Sequence, residues 1–390
     1  MAGAALLCLA GCVAPAGGPE PATLTPVGFE ALPGWSADRA WAAVPALLRS
    51  CGGLAELPRE QPLGGAGEAA RLAGTAGQWS SLCAVAERLR ANDDAGAHAF
   101  FERYFQPYAI TVATRSEALF TGYYEPEVQG ARRRGGPYQT PILALPKDLV
   151  QGDPPPRAAP GAPPNSASKP IGRMSGGQLV PYYDRAQIEA GALANRRLEL
   201  FWLADPVDAF FLQVQGSGRI RLANHTIARV GYAGKNGLPY VPIGRKLAER
   251  GDIPADQISM QTIRAWLAAY PDKAAALMSE NPSYVFFREL PGLTPEEGAP
   301  GAFGVPLTPG RSLAVDPQFL PLGVPVFVET TDPLNGAPLR RLTLAQDTGS
   351  AIKGGLRGDI FFGWGADAAD RAGKMRQPGR VWLLLPRAAP

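Results

Sequence analysis

A mainly β protein with helices, made of a small barrel and a second β region, is the fold class that the residue pattern predicts. Two groups of short apolar runs carry that expectation. The C-terminal group, at 284–287, 312–315, 324–329, 339–344, 360–362 and 380–385, is punctuated by Gly- and Pro-containing turns. No helix-length crossover separates most of these runs, which suits a barrel better than an open parallel sheet. The central group, at 110–114, 118–124, 140–145, 199–203, 209–214 and 219–222, is rich in β-branched and aromatic residues and reads as further strands.

Helices precede and separate these groups. Leu82, Val85, Ala86 and Leu89 share one helical face, as do Ala97, Phe100, Phe101, Tyr104 and Phe105 after a cap at Asp94. A short helix is expected over 243–250. Another follows from the stripe Ile263, Trp266, Leu267 and Tyr270, capped by Thr262 and stopped by Pro271. The stretch 147–169, with Pro154, Pro155, Pro156, Pro160, Pro163 and Pro164, lacks the backbone donors a sheet needs and reads as a surface loop.

The 390 residues allow two cores, and 19% charged against 46% hydrophobic residues describes a globular chain. A net charge of +3 gives no footprint for nucleic acid. Residues 1–12 are apolar but shorter than the roughly 20 residues a bilayer span needs, and they read as a signal peptide. Leu9-Ala10-Gly11-Cys12 resembles a lipobox, with Cys12 as the lipidated residue, and residues 13–27, rich in Pro, Gly and Ala, would form a tether. Export would then leave Cys51 and Cys83, as one disulfide or as two buried thiols. With only His98 and His225 in the chain, neither a metal site nor a cofactor is expected.

Chemistry concentrates in the stretch from Ala345 to Gly363. Asp347 follows an apolar strand and precedes Thr348 and Gly349, so it should sit where pairing stops; Asp359 precedes Ile360, Phe361 and Phe362. Protonating a glycosidic oxygen requires a carboxyl group held protonated near neutral pH, whereas an exposed Asp titrates at about 3.9. Burial beside Phe361, Phe362 and Trp364 would raise it. The plainer reading is a turn in which Asp347 accepts backbone hydrogen bonds.

Other motifs fail. Gly216-Ser217-Gly218 lacks the third glycine and the helix of a dinucleotide loop, and no phosphate loop is present. Ser350 and Lys353 have the Ser-x-x-Lys spacing of acyl-enzymes, but Gly349 before them and Gly354-Gly355 after them oppose the required helix. That acyl-enzyme and a non-catalytic glycan-binding barrel remain as alternatives.

The order of longer motifs is more specific. Asp347-Thr348-Gly349-Ser350-Ala351-Ile352-Lys353-Gly354, Gly358-Asp359-Ile360, Gly363-Trp364-Gly365 and Gly379-Arg380-Val381-Trp382, with Asp316 as a third aspartate, resemble the C-terminal module of the membrane-bound lytic murein transglycosylase A family. Upstream, Phe120-Thr121-Gly122-Tyr123-Tyr124-Glu125-Pro126, Val214-Gln215-Gly216-Ser217-Gly218 and Tyr232-Ala233-Gly234-Lys235-Asn236-Gly237 fall in the family's order.

The resemblance implies a double-psi β-barrel from residues 28–122 and 233–390, an inserted β domain at 123–232, and a glycan groove between them. It implies non-hydrolytic cleavage of the β-1,4 bond between N-acetylmuramic acid and N-acetylglucosamine, with a 1,6-anhydro end. Asp347 would serve as acid and then base. Asp359 would raise the pKa of Asp347 and stabilise positive charge on the sugar, while Asp316 would hold a turn or touch substrate. Thr121, Gly122, Tyr124, Gln215, Gly216, Ser217, Lys235 and Asn236 would line the groove, and the variable segments 301–307 and 147–169 would lie away from the acid. The implied partners are peptidoglycan glycan strands, the outer membrane through the lipid on Cys12 at its periplasmic face, and complexes with other cell-wall enzymes.

Overall fold

The computed structural model describes residues 22–152 and 170–387. The signal, the lipobox and most of the tether and proline-rich loop lie outside the described residues. Among those residues, no helix is long and apolar enough to cross a membrane.

Six strands close into a barrel in the order Arg376–Pro386, Pro325–Thr331, Pro338–Asp347, Ser312–Ala314, Arg357–Trp364 and Ala118–Glu125, which pairs back onto Arg376–Pro386. Two pairings are parallel, Ser312–Ala314 with Pro338–Asp347 and Arg357–Trp364 with Ala118–Glu125; the others are antiparallel. This closed arrangement bears out the expected barrel. Closure leaves the site strands without an edge. Phe105–Val112 and Ala22–Pro26 extend the sheet outward from Arg376–Pro386.

The N-terminal helices cover the barrel because their apolar stripes have nowhere else to go. Val44–Ala55, Ser80–Ala86 and Asp94–Tyr104 bury Leu47, Leu82 and Phe101 in one core with Phe327, Leu342 and Leu383 of the barrel. The last of these helices is capped by Asp93, whose side chain accepts from Gly96 N, whereas Asp94 accepts from Trp41 N. Cys51 and Cys83 form a disulfide that ties the first two helices together, so of the two open readings the bonded one holds.

Between the barrel strands Ala118–Glu125 and Ser312–Ala314 the chain builds a second sheet, ordered Val285–Glu289, Ile227–Lys235, Ser217–Arg221, Glu127–Ala131, Glu199–Leu203 and Thr140–Leu143. Two expectations change here. The run at 284–287 is a strand of this sheet and not of the barrel, so the sheet continues past residue 232. The run at 209–214 is helical, within Pro206–Gln215. A six-residue apolar run fits strand or helix by periodicity alone. Here the Asp205 cap on Val207 N, Pro206 in the first turn and Gly216 at φ 82° after the end decide for the helix. Its Phe210 and Phe211 form a core with Ile243, Leu247, Trp266, Leu267 and Leu277, which binds the helices of 243–279 to the second sheet. The cap of Met260–Ala269 is Ser259, with Thr262 completing a reciprocal capping box one turn in.

One buried charge cluster joins the two halves. Glu125, at the end of its barrel strand, is fully buried and accepts from Arg229 at 2.8 and 2.9 Å and from Arg219 at 3.4 Å, both guanidiniums coming from the second sheet. Arg219 also stacks over Trp364, 3.7 Å from its ring centroid. Leaving two buried guanidiniums without their carboxylate costs about 3–5 kcal/mol. Glu125→Gln is therefore expected to lower unfolding stability by that amount, read as a shift of the urea midpoint; a shift under about 1 kcal/mol would contradict the joint described here.

Candidate active site

The site starts from strand register. Asp347 pairs with Ala314, Ala314 pairs with Asp359, and Asp359 pairs with Thr121, so these four residues form one row across four strands. Residues in one row point to the same face of a sheet, and neighbouring strands lie about 4.8 Å apart. The backbones of the two aspartates thus stand two strand spacings apart, about 9–10 Å, with the small Ala314 between them.

Parity sets Asp347 toward the groove. Its neighbour Gln346 is fully buried and donates to Ala46 O and Ser50 Oγ of the helix Val44–Ala55, while accepting from Ser312 Oγ at 2.6 Å. With Gln346 fixed inward, Asp347 must project outward. Its Oδ1 accepts from Ala302 N and Thr348 N, each at 2.8 Å, and its Oδ2 accepts from the Tyr123 hydroxyl at 2.8 Å. Burial raises the Asp347 pKa above the ordinary Asp value, and these three hydrogen bonds pull the other way. The Tyr123 phenol is held well above its ordinary value, first by burial and then by the Asp347 charge.

Asp359 is pushed up to about 6, chiefly by burial, with the Asp347 charge adding to the rise. Thr121 Oγ1 donates to Asp359 Oδ1 at 2.6 Å and accepts from Arg357 at 2.7 Å. Burial is the largest cause of the rise at both carboxyls, and their mutual repulsion appears at Asp359, the one with the higher value.

A cavity of about 800 Å³ opens over this row between the barrel and the second sheet. Thr121, Gly122, Gln215, Gly216, Ser217, Lys235, Asp347 and Asp359 line it as expected. Tyr124, Asn236 and Asp316 do not. Tyr124 points to the opposite face of its strand, packs on Ala368 and Ala372, and donates its backbone N–H to Gln215 Oε1 at 3.1 Å. Tyr123 lines the groove instead, as the two-residue alternation from Thr121 requires. Asn236 is fully buried: its amide donates to Tyr183 O and Pro282 O and accepts from Tyr284 N, clasping the second sheet. Asp316 accepts from Gln318 N and from Gly354 N, which pins the loop following Asp347.

The segment 301–307 does touch the acid, contrary to expectation. Besides the Ala302 bond to Asp347, Phe303 N donates to Gln346 O at 3.0 Å. A Cβ on Gly301 would lie 2.5 Å from Gln346 O and 3.1 Å from Asp347 Cβ, so only glycine permits this approach. Ser350 and Lys353 lie in a loop, without the helix an acyl-enzyme pair needs, and it is Lys235 whose Nζ donates to Ser350 Oγ at 3.3 Å.

The position of the Asp359 pKa fixes a sign for stability. A carboxyl at about 6 in the native state and about 3.9 unfolded binds its proton more tightly when folded, so stability present below pH 4 is lost as pH rises through 6. The loss amounts to about 2–3 kcal/mol. Asp359→Asn removes the titration and is expected to be more stable than the parent at pH 7.5 by up to that amount, with the gain gone near pH 4. Urea unfolding at the two pH values checks this; an equal difference at both would refute the buried charge.

A family model described as the MltA specific insert domain matches residues 119–288, and a 3D domain model matches residues 311–385. The membrane-bound lytic murein transglycosylase A of Vibrio cholerae is 32% identical over 281 residues, 69% of this chain and 66% of its own length; that of Escherichia coli is 35% identical over 274 residues, 68% and 65%. The chain thus spans just under two thirds of the length of these curated relatives. Among solved structures, the membrane-bound lytic murein transglycosylase from Agrobacterium tumefaciens superposes with a TM-score of 0.79 at 35% identity, covering 94% of this chain and 98% of that one. The Escherichia coli MltA with bound chitohexaose gives 0.64 at 27% identity, covering 96% of each chain. A barrel with its aspartate row, an inserted sheet across the groove, and a match over nearly the whole of a solved relative agree on one assignment: the chain belongs to the membrane-bound lytic murein transglycosylase A family.

Proposed function

We propose that this chain is a lytic murein transglycosylase that cleaves the β-1,4 bond between N-acetylmuramic acid and N-acetylglucosamine and closes the muramyl residue on its own C6 hydroxyl. The observation that carries this reading is the aspartate row. The backbones of its two aspartates stand two strand spacings apart, wider than the ~5–5.5 Å carboxyl separation of enzymes whose second carboxylate attacks the sugar. That disfavours covalent attack by the second carboxylate, and because the C6 hydroxyl replaces water as the attacking group, a single carboxyl suffices for both proton transfers.

Asp347 fits that part. Burial favours its protonated form, so it can donate to the leaving oxygen. The anion left behind keeps the hydrogen bonds from Ala302 N, Thr348 N and Tyr123, and it then takes the C6 hydroxyl proton as the anhydro ring forms. Asp359, ionised above its pKa of about 6, supplies negative charge near the oxocarbenium-like centre. The groove's exposed Tyr232 offers an apolar face for a sugar ring, and a relative that holds chitohexaose supports a glycan as occupant.

The disulfide supports an oxidising compartment, and Cys12 in its lipobox setting supports lipid anchorage in the outer membrane.

Asp347→Asn is expected to cut turnover at least ~100-fold while murein binding persists. Mass analysis of the products checks the chemistry: anhydro ends are expected, and reducing ends would refute the internal attack. Cys12→Ala is expected to move the protein from the membrane pellet to the soluble fraction; continued sedimentation with membranes would refute the lipobox.

A further inference from the structure

The groove carries positive charge that the glycan backbone does not require. Five of its lining residues are cationic, but they divide into two kinds. Arg185 is buried and committed to Asn281 O, Ser283 O, Gln213 and Glu189, and Arg357 is committed to Thr121 and two carbonyls. Lys235, Arg288 and Lys353 have no acidic partner among the described residues.

This is not how the second sheet treats its other arginines. Arg132 pairs with Glu289 and Arg221 with Glu127, even at the surface. Lys235 and Arg288 face the groove from the two edge-side strands of that sheet, and Lys353 faces it from the loop after Asp347. Lys235 is half-buried, and its ammonium is pulled below the ordinary lysine value by burial and by the nearby Lys353 charge. Like charges gathered without an ion-pair partner repel one another, and an anionic ligand relieves them. In the backbone of a murein strand the sugars are neutral; its carboxylates sit on the peptide stems that hang from muramic acid.

Resting on the transglycosylase reading above, we propose that Lys235, Lys353 and Arg288 form a subsite for the carboxylates of the peptide stem. Its placement follows from the chain: Lys353 lies six residues after Asp347, and Lys235 bonds to Ser350 in the same loop, so the stem is held beside the bond being cleaved. Arg288 lies across the second sheet at the register of Gly231, several residues from Lys235 on the neighbouring strand. A spread row of cations suits an extended peptide with more than one carboxylate.

The test compares glycan strands carrying stems with the same strands stripped of them by an amidase and then amidated at the lactyl carboxylate that this hydrolysis exposes on each muramic acid. Turnover is measured with the parent protein and with Lys353→Gln, Arg288→Gln and the double variant. Binding is measured on the Asp347→Asn background, so that the subsite is judged even if no turnover occurs. The parent is expected to favour stem-bearing strands by about tenfold in kcat/KM, the sum of a few largely exposed ion pairs. That preference should shrink as salt rises from about 0.05 to 0.3 M, and the double variant should lose most of it through KM. Equal handling of both strands by the parent, or a preference that the double variant keeps in turnover and in binding, would overturn the subsite. Absence of anhydro ends from either strand would instead overturn the transglycosylase reading, while the binding comparison still decides the subsite.

Discussion

The three-residue strand Ser312–Ala314 is the constraint on which the site depends. It pairs in parallel with Pro338–Asp347 on one side and antiparallel with Arg357–Trp364 on the other, and thereby fixes the separation of the two carboxylates. The strand also secures parity, since Ser312 bonds to Gln346 and Gln346 to the helix Val44–Ala55. A one-residue slip would send Asp347 into the core and Gln346 into the groove.

The second wall of the groove is positioned by polar contacts that never meet substrate. Asn236 closes the bend between Ile227–Lys235 and the helices after it, and so aims Lys235 at the loop that follows Asp347. Asp316 fixes the same loop from the barrel side through Gly354. Loop residues that would otherwise be free are thus tied to both halves, which suits a reaction needing one carboxyl kept in place through two proton transfers.

Much of this was legible in the residues because strands announce themselves by local alternation. The runs around 312–315, 324–329, 339–344, 360–362 and 380–385 occupy the barrel, and Asp347 stands where its strand ends. What stayed hidden was decided by partners distant in sequence. The run at 284–287 resembles its neighbours, and only its pairing with Ile227–Lys235 assigns it to the other sheet. The run at 209–214 has no distinctive period, and the Asp205-Pro206 start that marks it as a helix lies outside the run. Tyr123 and Tyr124 differ only by parity, which the alternation from Thr121 could have resolved. Nothing in the segment 301–307 signals that its backbone reaches the carboxylate of Asp347.

The shared charge at Glu125 has a consequence for how such a protein can change over time. The barrel supplies the carboxylate and the inserted sheet supplies both guanidiniums, so neither half carries a neutral surface at the seam. Transplanting the insert into an unrelated scaffold would bring along two orphaned cations, and excising it would strand a lone anion. The fold is modular in its chain order but not in its electrostatics, so the two parts are complete only as a matched set.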